Sequence, residues 1–213
     1  MDHIAAIRKE YKLESLHEHE VDPDPFRQFE KWWQELIKSN IDEVNAMTLA
    51  TADKNARPSA RIVLLKGFTP EGFLFFTNYE SHKGEELKEN PQACLVFFWK
   101  ELERQVRVEG LIEKISAEES DEYFNSRPAG SKIGAWASPQ SKVIASREVL
   151  EEKVRLIENK FMNTTIDRPG HWGGYILKPI LIEFWQGRPS RLHDRIQYTK
   201  LENNSWKIER LAP

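Results

Sequence analysis

The stretch EFWQGRPSRLHDR, Glu183 to Arg195, places Arg188, Arg191, His193 and Arg195 within eight positions, directly after Phe184 and Trp185. If the segment after Pro189 is a strand, alternation turns Arg191, His193 and Arg195 to one face. Three potential cations on one face repel one another unless an anion sits among them or water solvates them. From these residues alone the solvated outer face of an edge strand is the favoured account. In RIVLLK, Arg61 and Lys66 bracket four aliphatic residues, and their odd separation puts them on opposite faces of a strand. Cationic ends of this kind also keep an apolar strand soluble and discourage edge pairing. Ser81, His82 and Lys83 would open a helix, where free N–H groups and the dipole favour an anion. For any single lysine, Lys83 included, an ordinary exposed side chain is the favoured account. Tyr123 and Arg127 lie four apart on a predicted helix and share a face, with Ser131 just beyond. Hydroxyl and guanidinium donors so placed could hold a phosphate, arginine supplying a two-pronged fork. A helix C-terminal arginine complementing the dipole accounts for them as well. The HEHE run, His17 to Glu20, lacks the i, i+4 spacing of a helical metal site and reads as solvated.

No GxSxG, GxGxxG or Walker-type loop occurs, and Cys94, the single cysteine, has no nucleophilic partner nearby in sequence. What remains is many anion-binding groups, abundant aromatics and no acid–base apparatus. A protein built this way would leave the hard chemistry to a phosphorylated aromatic cofactor. The net charge of -3 argues against the sequence-independent phosphate binding of a strongly basic domain, so no nucleic-acid partner is expected. The longest apolar run, Ala93 to Trp99, has seven residues, too few to cross a bilayer, and MDHIAAIRKEY lacks the apolar centre of a signal peptide. A cytoplasmic protein without membrane or metal partners is the expectation.

The elements that must position these groups follow from periodicity. The first forty residues read as a helical segment of the same domain as residues 41–213. Asp24 is a candidate cap before Pro25, and Phe26, Phe29, Trp33, Leu36 and Ile37 form an apolar stripe. VNAMTLATAD, SARIVLLKGF and GFLFFTN then read as strands, YESHKGEELKENP as a short helix, and ACLVFFW and RQVRVEGLIEKI as two more strands. Ser116 and Glu119 form a capping box opening a helix through EESDEYFNSR, and REVLEEKVRLIENKF is a second helix. HWGGYILK, ILIEFWQG, RLHDRIQYTK and SWKIERL complete about seven to nine strands. An α+β, barrel-like domain is predicted.

The blocks RIVLLK, FFTNYESHK, LERQVRVEG, YFNSRP, SKIGAWASPQS, WGGY, IEFWQG, RLHDR and WKIERLAP, in this order, closely resemble the pyridoxine (pyridoxamine) 5′-phosphate oxidase family. The likeness runs from about Arg8 to Pro213. It implies a split β-barrel of mainly antiparallel strands and a homodimer with FMN at the subunit interface. It also implies oxidation of pyridoxine or pyridoxamine 5′-phosphate to pyridoxal 5′-phosphate, with O2 as acceptor and H2O2 as product. By the same resemblance, FMN contacts fall on Arg61, Ile62, Val63, Leu64, Leu65, Lys66, Phe76, Thr77, His82, Lys83, Gln105, Gln140, Ser141, Trp185 and Arg195. Substrate contacts fall on Lys66, Tyr123, Arg127, Ser131, Arg191 and His193, with Arg191 and His193 in the catalytic role. Arg8, Lys9, Glu10 and Tyr11 match a segment that covers the bound substrate. His82 departs from the arginine a close relative often carries, which implies FMN binding that tightens as pH falls toward 6. Two other readings are an oxidase of the same fold acting on a phenazine precursor and a non-catalytic binder of flavin or pyridoxal phosphate. The phosphate-holding set argues against the first, and the presence of both Arg191 and His193 against the second.

Overall fold

The computed structural model describes residues 4, 6 and 9–213; Arg8 lies outside them. From Lys9 to Asp24 the chain is irregular rather than helical, and the first long helix is α1, Pro25–Lys38. Asp24 accepts the Phe26 N–H at 2.9 Å and Pro25 fills the first turn, as the sequence predicts. The buried stripe of α1 is Phe26, Phe29, Trp32 and Leu36; Ile37, expected inside, is 55% exposed, and Trp32 takes the inward place.

Nine antiparallel strands follow among the described residues: β1 (Ala46–Ala52), β2 (Pro58–Leu64), β3 (Gly67–Thr69), β4 (Gly72–Asn78), β5 (Gln92–Trp99), β6 (Arg104–Lys114), β7 (Trp172–Gln186), β8 (Asp194–Lys200) and β9 (Trp206–Arg210). Helix α2 (His82–Glu89) joins β4 to β5. Helices α3 (Ala117–Ser126), α4 (Ala129–Ala137) and α5 (Arg147–Lys160) separate β6 from β7. The capping box of α3 is formed, with Ser116 Oγ and Glu119 N 3.1 Å apart and the Ser116 N–H 3.1 Å from Glu119 Oε2. Sequence periodicity assigns no element to α4, because Gly130 and Gly134 weaken its helical propensity; burial of Ile133 and Ala137 stabilises it regardless.

The sheet order is β2-β1-β5-β6-β7-β4-β3, with β8 on β7 and β9 on β8. β7 is the spine. Along one edge it pairs with β6 from Tyr175 to Gln186, while its other edge is shared: β4 pairs with Trp172 to Leu177 and β8 with Leu181 to Gln186. The two segments HWGGYILK and ILIEFWQG are therefore one strand and not two. Pro179, which has no N–H to donate, falls in the gap between the β4 and β8 ladders, where no donor is needed. Gly110 faces it across a register shift, and a Cβ there would lie 2.1 Å from the Lys178 carbonyl oxygen, so only glycine fits.

SARIVLLKGF is likewise not continuous. The Leu65 N–H turns to the Asn45 carbonyl (2.8 Å) and the Lys66 N–H to the Leu74 carbonyl (2.8 Å), so the chain leaves β1 for β4 between these residues. The opposite-face relation of Arg61 and Lys66 therefore does not apply. Helix α1 closes the barrel's interior: the Phe29 ring, fully buried, lies 4.8 Å from Phe68, 5.0 Å from Phe73 and 5.4 Å from Phe97. Phe29→Ala should lower stability by about 3–5 kcal/mol, read as a shifted urea midpoint. A loss below about 1 kcal/mol would contradict the closing role of this ring.

Candidate active site

A cleft of 660 Å³ opens between β2, β4, α3 and α4. Strand alternation buries Phe73 and Phe75 in the core and turns Phe76 to the opposite face. The Phe76 ring stacks on Tyr123 at 3.9 Å and on Trp172 at 5.4 Å, forming an aromatic wall. Arg127, the C-cap of α3, lays its guanidinium 4.5 Å over the Trp172 ring. Burial depresses the guanidinium's pKa, and its buried Nη1 has no hydrogen-bond partner among the described residues. A buried donor without an acceptor is costly, and this nitrogen is open to an acceptor from a bound molecule. Ser131, in the first turn of α4, and Lys66 line the same cleft.

Lys83 enters from the first turn of α2, whose N-cap is Ser81. Its ammonium is buried and touches only neutral groups: Thr77 Oγ1 at 3.3 Å, Gln140 Oε1 at 3.4 Å and Ser81 Oγ at 3.5 Å. Burial pushes its pKa down, Arg61 adds to that, and Glu86 opposes it. Arg61 is not among the residues that line the cleft. It donates to Thr51, to Ser59 and to Glu86 Oε2, the last at 3.1 Å. Glu86, which the sequence reading missed, also accepts from Thr51 Oγ1 at 2.6 Å and Ser59 Oγ at 2.7 Å. Thr51 and Ser59 sit opposite each other in the β1–β2 register, a pairing visible only once the strands are aligned. Burial raises the Glu86 carboxyl, but the bonds from Thr51 and Ser59, with His82 and Arg61 beside it, carry it below the usual carboxylate range. His82 stands 64% exposed with Nε2 3.6 Å from Glu86, outside the cleft lining.

A second cluster lies at the far end of β7. Gln105, Trp185 and Arg195 form one cross-strand row on β6, β7 and β8. Beside them a 620 Å³ cavity is lined by Lys9, Glu10, Tyr11, Arg188, Ser190, Arg191 and His193. The strand expected through RLHDR is absent: Pro189–Arg191 is a 3-10 turn, with φ of 55° at Ser190 and 63° at Arg191, and β8 starts only at Asp194. Alternation therefore does not align Arg191, His193 and Arg195; a turn brings the first two together instead. The Arg188 N–H donates to His193 Nδ1 at 3.1 Å, which leaves the proton of the neutral ring on Nε2. Burial pushes the His193 pKa down and Arg191 adds to this, with Asp194 opposing. Arg188, given no role from sequence, thus fixes the tautomer. Arg195 Nε lies 2.7 Å from Glu183, a carboxylate it shares with Arg107, also at 2.7 Å.

The site residues named from sequence thus divide between two places. Ile62, Val63, Leu64, Lys66, Phe76, Thr77, Lys83, Tyr123, Arg127, Ser131 and Gln140 meet at the first; Lys9, Glu10, Tyr11, Arg191 and His193 line the second, beside Gln105, Trp185 and Arg195. Leu65 is 4% exposed in the core and Ser141 stands outside both linings. Trp172 and Trp185 stand at opposite ends of one strand, roughly 40 Å apart at about 3.3 Å per residue.

Comparison with known proteins accords with this geometry. Residues 33–161 match the family model described as pyridoxamine 5′-phosphate oxidase, and residues 172–213 match the pyridoxine 5′-phosphate oxidase C-terminal dimerisation region. The chain is 59% identical over 210 residues to a pyridoxine/pyridoxamine 5′-phosphate oxidase of Nostoc sp., covering 99% of this chain and 98% of that one. It is 58% identical over 213 residues to one of Polynucleobacter asymbioticus, covering all of both.

The chain belongs to the pyridoxine/pyridoxamine 5′-phosphate oxidase family.

Among solved structures, PhzG from Burkholderia lata 383, in complex with tetrahydrophenazine-1-carboxylic acid, superposes with a TM-score of 0.87 at 27% identity, over 94% of this chain and 99% of that one. An FMN-binding protein of Nostoc punctiforme related to the family has a TM-score of 0.70 at 17% identity, over 91% and 100%, a likeness of fold alone. The split β-barrel expected from the sequence is therefore the fold of the protein. In this member of the family Glu86 is the buried counter-charge to Arg61. Its pKa lies below the unfolded value of about 4.3, so its contribution to stability is present above that pH and is lost as pH falls through the folded value. Glu86→Gln should cost about 2 kcal/mol at pH 7, and the gap to the wild type should close below about pH 4. A gap constant from pH 7 to 3 in urea melts would contradict an ionised Glu86.

Proposed function

We propose that the protein binds FMN and oxidises pyridoxine 5′-phosphate and pyridoxamine 5′-phosphate to pyridoxal 5′-phosphate, reducing O2 to H2O2. For the amine, water enters and ammonia leaves to balance the reaction. The observation that carries this reading is the buried, unpartnered Nη1 of Arg127 in a cleft that also holds Lys66, Tyr123 and Ser131. These donors would clamp the vitamer's phosphate, and the aromatic wall of Phe76, Tyr123 and Trp172 shapes the pocket beside it.

The first cleft also fits the cofactor. Lys83, a desolvated cation with no carboxylate partner within hydrogen-bond reach, would hold the FMN phosphate at the start of α2. Thr77, Gln140 and the backbone of residues 62–64 would hold its ring. When bound, FMN supplies the two-electron acceptor and passes the electrons to O2. Arg61, turned to Glu86, would support this site from behind or swing toward the phosphate.

The second cluster would complete the cleft from the other subunit of a homodimer. The register places Ile62, Thr48, Val96, Arg107 and Glu183 in one row across the sheet, and Phe98, Gln105 and Trp185 in the row beside it. Both clusters thus border one sheet face, on which Ile62 is 65% and Phe98 54% exposed. Exposed apolar residues bordering two half-sites are what a dimer would bury. Matching of residues 172–213 to a dimerisation region supports the same assembly. In it, His193 would present its Nε2–H to the oxygen or nitrogen on the reacting carbon, and Arg191 would close over the ring. No described helix is long and apolar enough to cross a membrane. The cytoplasm, where a lone thiol such as Cys94 stays reduced, is the compartment this reading assigns.

Addition of pyridoxamine 5′-phosphate to the FMN-loaded protein under air should produce pyridoxal 5′-phosphate absorbance and peroxide together. Absence of both with either vitamer would refute the oxidase reading. Arg127→Ala should mainly raise KM, by about tenfold or more. Arg191→Ala should instead lower kcat with FMN content unchanged; unchanged turnover would remove Arg191 from the catalytic role.

A further inference from the structure

Glu103 stands in the turn between β5 and β6, at φ 56°, with its carboxylate 3% exposed. All its carboxylate contacts go to a segment some ninety residues away in sequence. Oε2 accepts the Lys12 N–H at 2.8 Å and the Leu13 N–H at 3.2 Å, and Oε1 lies 3.3 Å from Lys9 Nζ. A carboxylate tolerates burial only with such donors. The same residue's backbone carbonyl accepts the Gly187 N–H at 2.7 Å and Gln186 Nε2 at 3.2 Å. Gly187 in turn seats the Tyr11 ring, because a Cβ there would lie 2.7 Å from Tyr11 Cγ. Tyr11 so held meets the Trp185 ring edge-on at 5.7 Å and the His193 ring at 5.9 Å. Further along, the segment is tied again: Arg188 donates to the Glu14 carbonyl (3.0 Å), and the Leu16 N–H donates to Asp194 Oδ2 (3.1 Å).

We infer that Glu103 is a positioning residue, whose side chain ties down residues 9–13 while its backbone fixes the glycine that receives Tyr11, so that Tyr11 stands ready-placed over Trp185 and His193. This rests on the oxidase reading for its catalytic meaning, although the contacts themselves do not. Glu103 lines neither cavity; it acts through Tyr11. The effect is preorganisation: the segment need not be ordered at the moment substrate binds.

The test compares FMN-loaded wild type with Glu103→Gln, which keeps the shape and removes the charge. Amide hydrogen exchange at Lys12 and Leu13 should quicken by about tenfold. KM for pyridoxamine 5′-phosphate should rise about fivefold or more, with FMN content unchanged. In a Tyr11→Ala background the same substitution should change KM no further. Equal exchange in wild type and variant overturns the inference, and so does a KM effect of undiminished size in the Tyr11→Ala background. Should Glu103→Gln fail to fold, Lys12→Pro removes one donor from the exposed segment, and exchange at Leu13 decides in the same way. If the wild type oxidises neither vitamer, the oxidase reading falls while the exchange measurement still decides the role of Glu103.

Discussion

Strand β7 governs the rest of the molecule. One unbroken run from Trp172 to Gln186 carries the aromatic wall of the first cleft at its start and Trp185, beside His193, at its end. A strand cannot fold back on itself, so the two groups stay roughly 40 Å apart in any one chain. The rest of the sheet conforms to that length. β4 and β8 share one edge of β7 in turn, Pro179 lies between their ladders, and Gly110 allows β6 to follow past the irregularity. A second copy of the chain, set against the face that exposes Ile62 and Phe98, is the economical way to bring such ends together.

Charge is distributed differently at the two ends. In the first cleft Lys83 and the Arg127 Nη1 are buried without carboxylate partners among the described residues, a costly arrangement that a bound anion would relieve. At the second end the cations other than Arg191 are already balanced. Arg195 and Arg107 share Glu183, Arg188 and Arg210 share Asp194, and Lys9 meets Glu103. What remains there is Arg191 and a neutral imidazole with its tautomer set by a backbone N–H. On the proposed reading, phosphate binding would belong to one end and orientation of the reacting group to the other.

Much of this was legible in the sequence, and the parts that were not share a cause. Caps and hydrophobic periodicity located α1, α2, α3 and the core strands, since these depend on residues within a few positions. Periodicity misread RIVLLKGF, where Leu65 and Lys66 exchange one partner strand for another, and RLHDR, where Ser190 and Arg191 turn through positive φ. It divided β7 at Pro179 because the missing donor is harmless only where neighbouring strands leave a gap. The resemblance to the family named many of the residues that line both cavities, though not Trp172 or Arg188. Glu86 and Glu103 escaped notice because each acts through partners distant in sequence: Glu86 through Thr51 and Ser59, Glu103 through Lys12 and Leu13; Arg188 was given no role because it acts through its backbone N–H, which the turn at Pro189–Arg191 aims at His193. Composition carries no trace of such contacts.

Whether one site draws on two subunits can be decided by complementation. Arg127→Ala disables the first cluster and Arg191→Ala the second, each nearly silent as a homodimer at substrate levels below the raised KM. Mixed by co-expression, about half the dimers would be hybrid, and each hybrid would hold one intact site, restoring about a quarter of wild-type activity. Activity no greater than the mean of the two parent variants would contradict a shared site and return both clusters to a single chain.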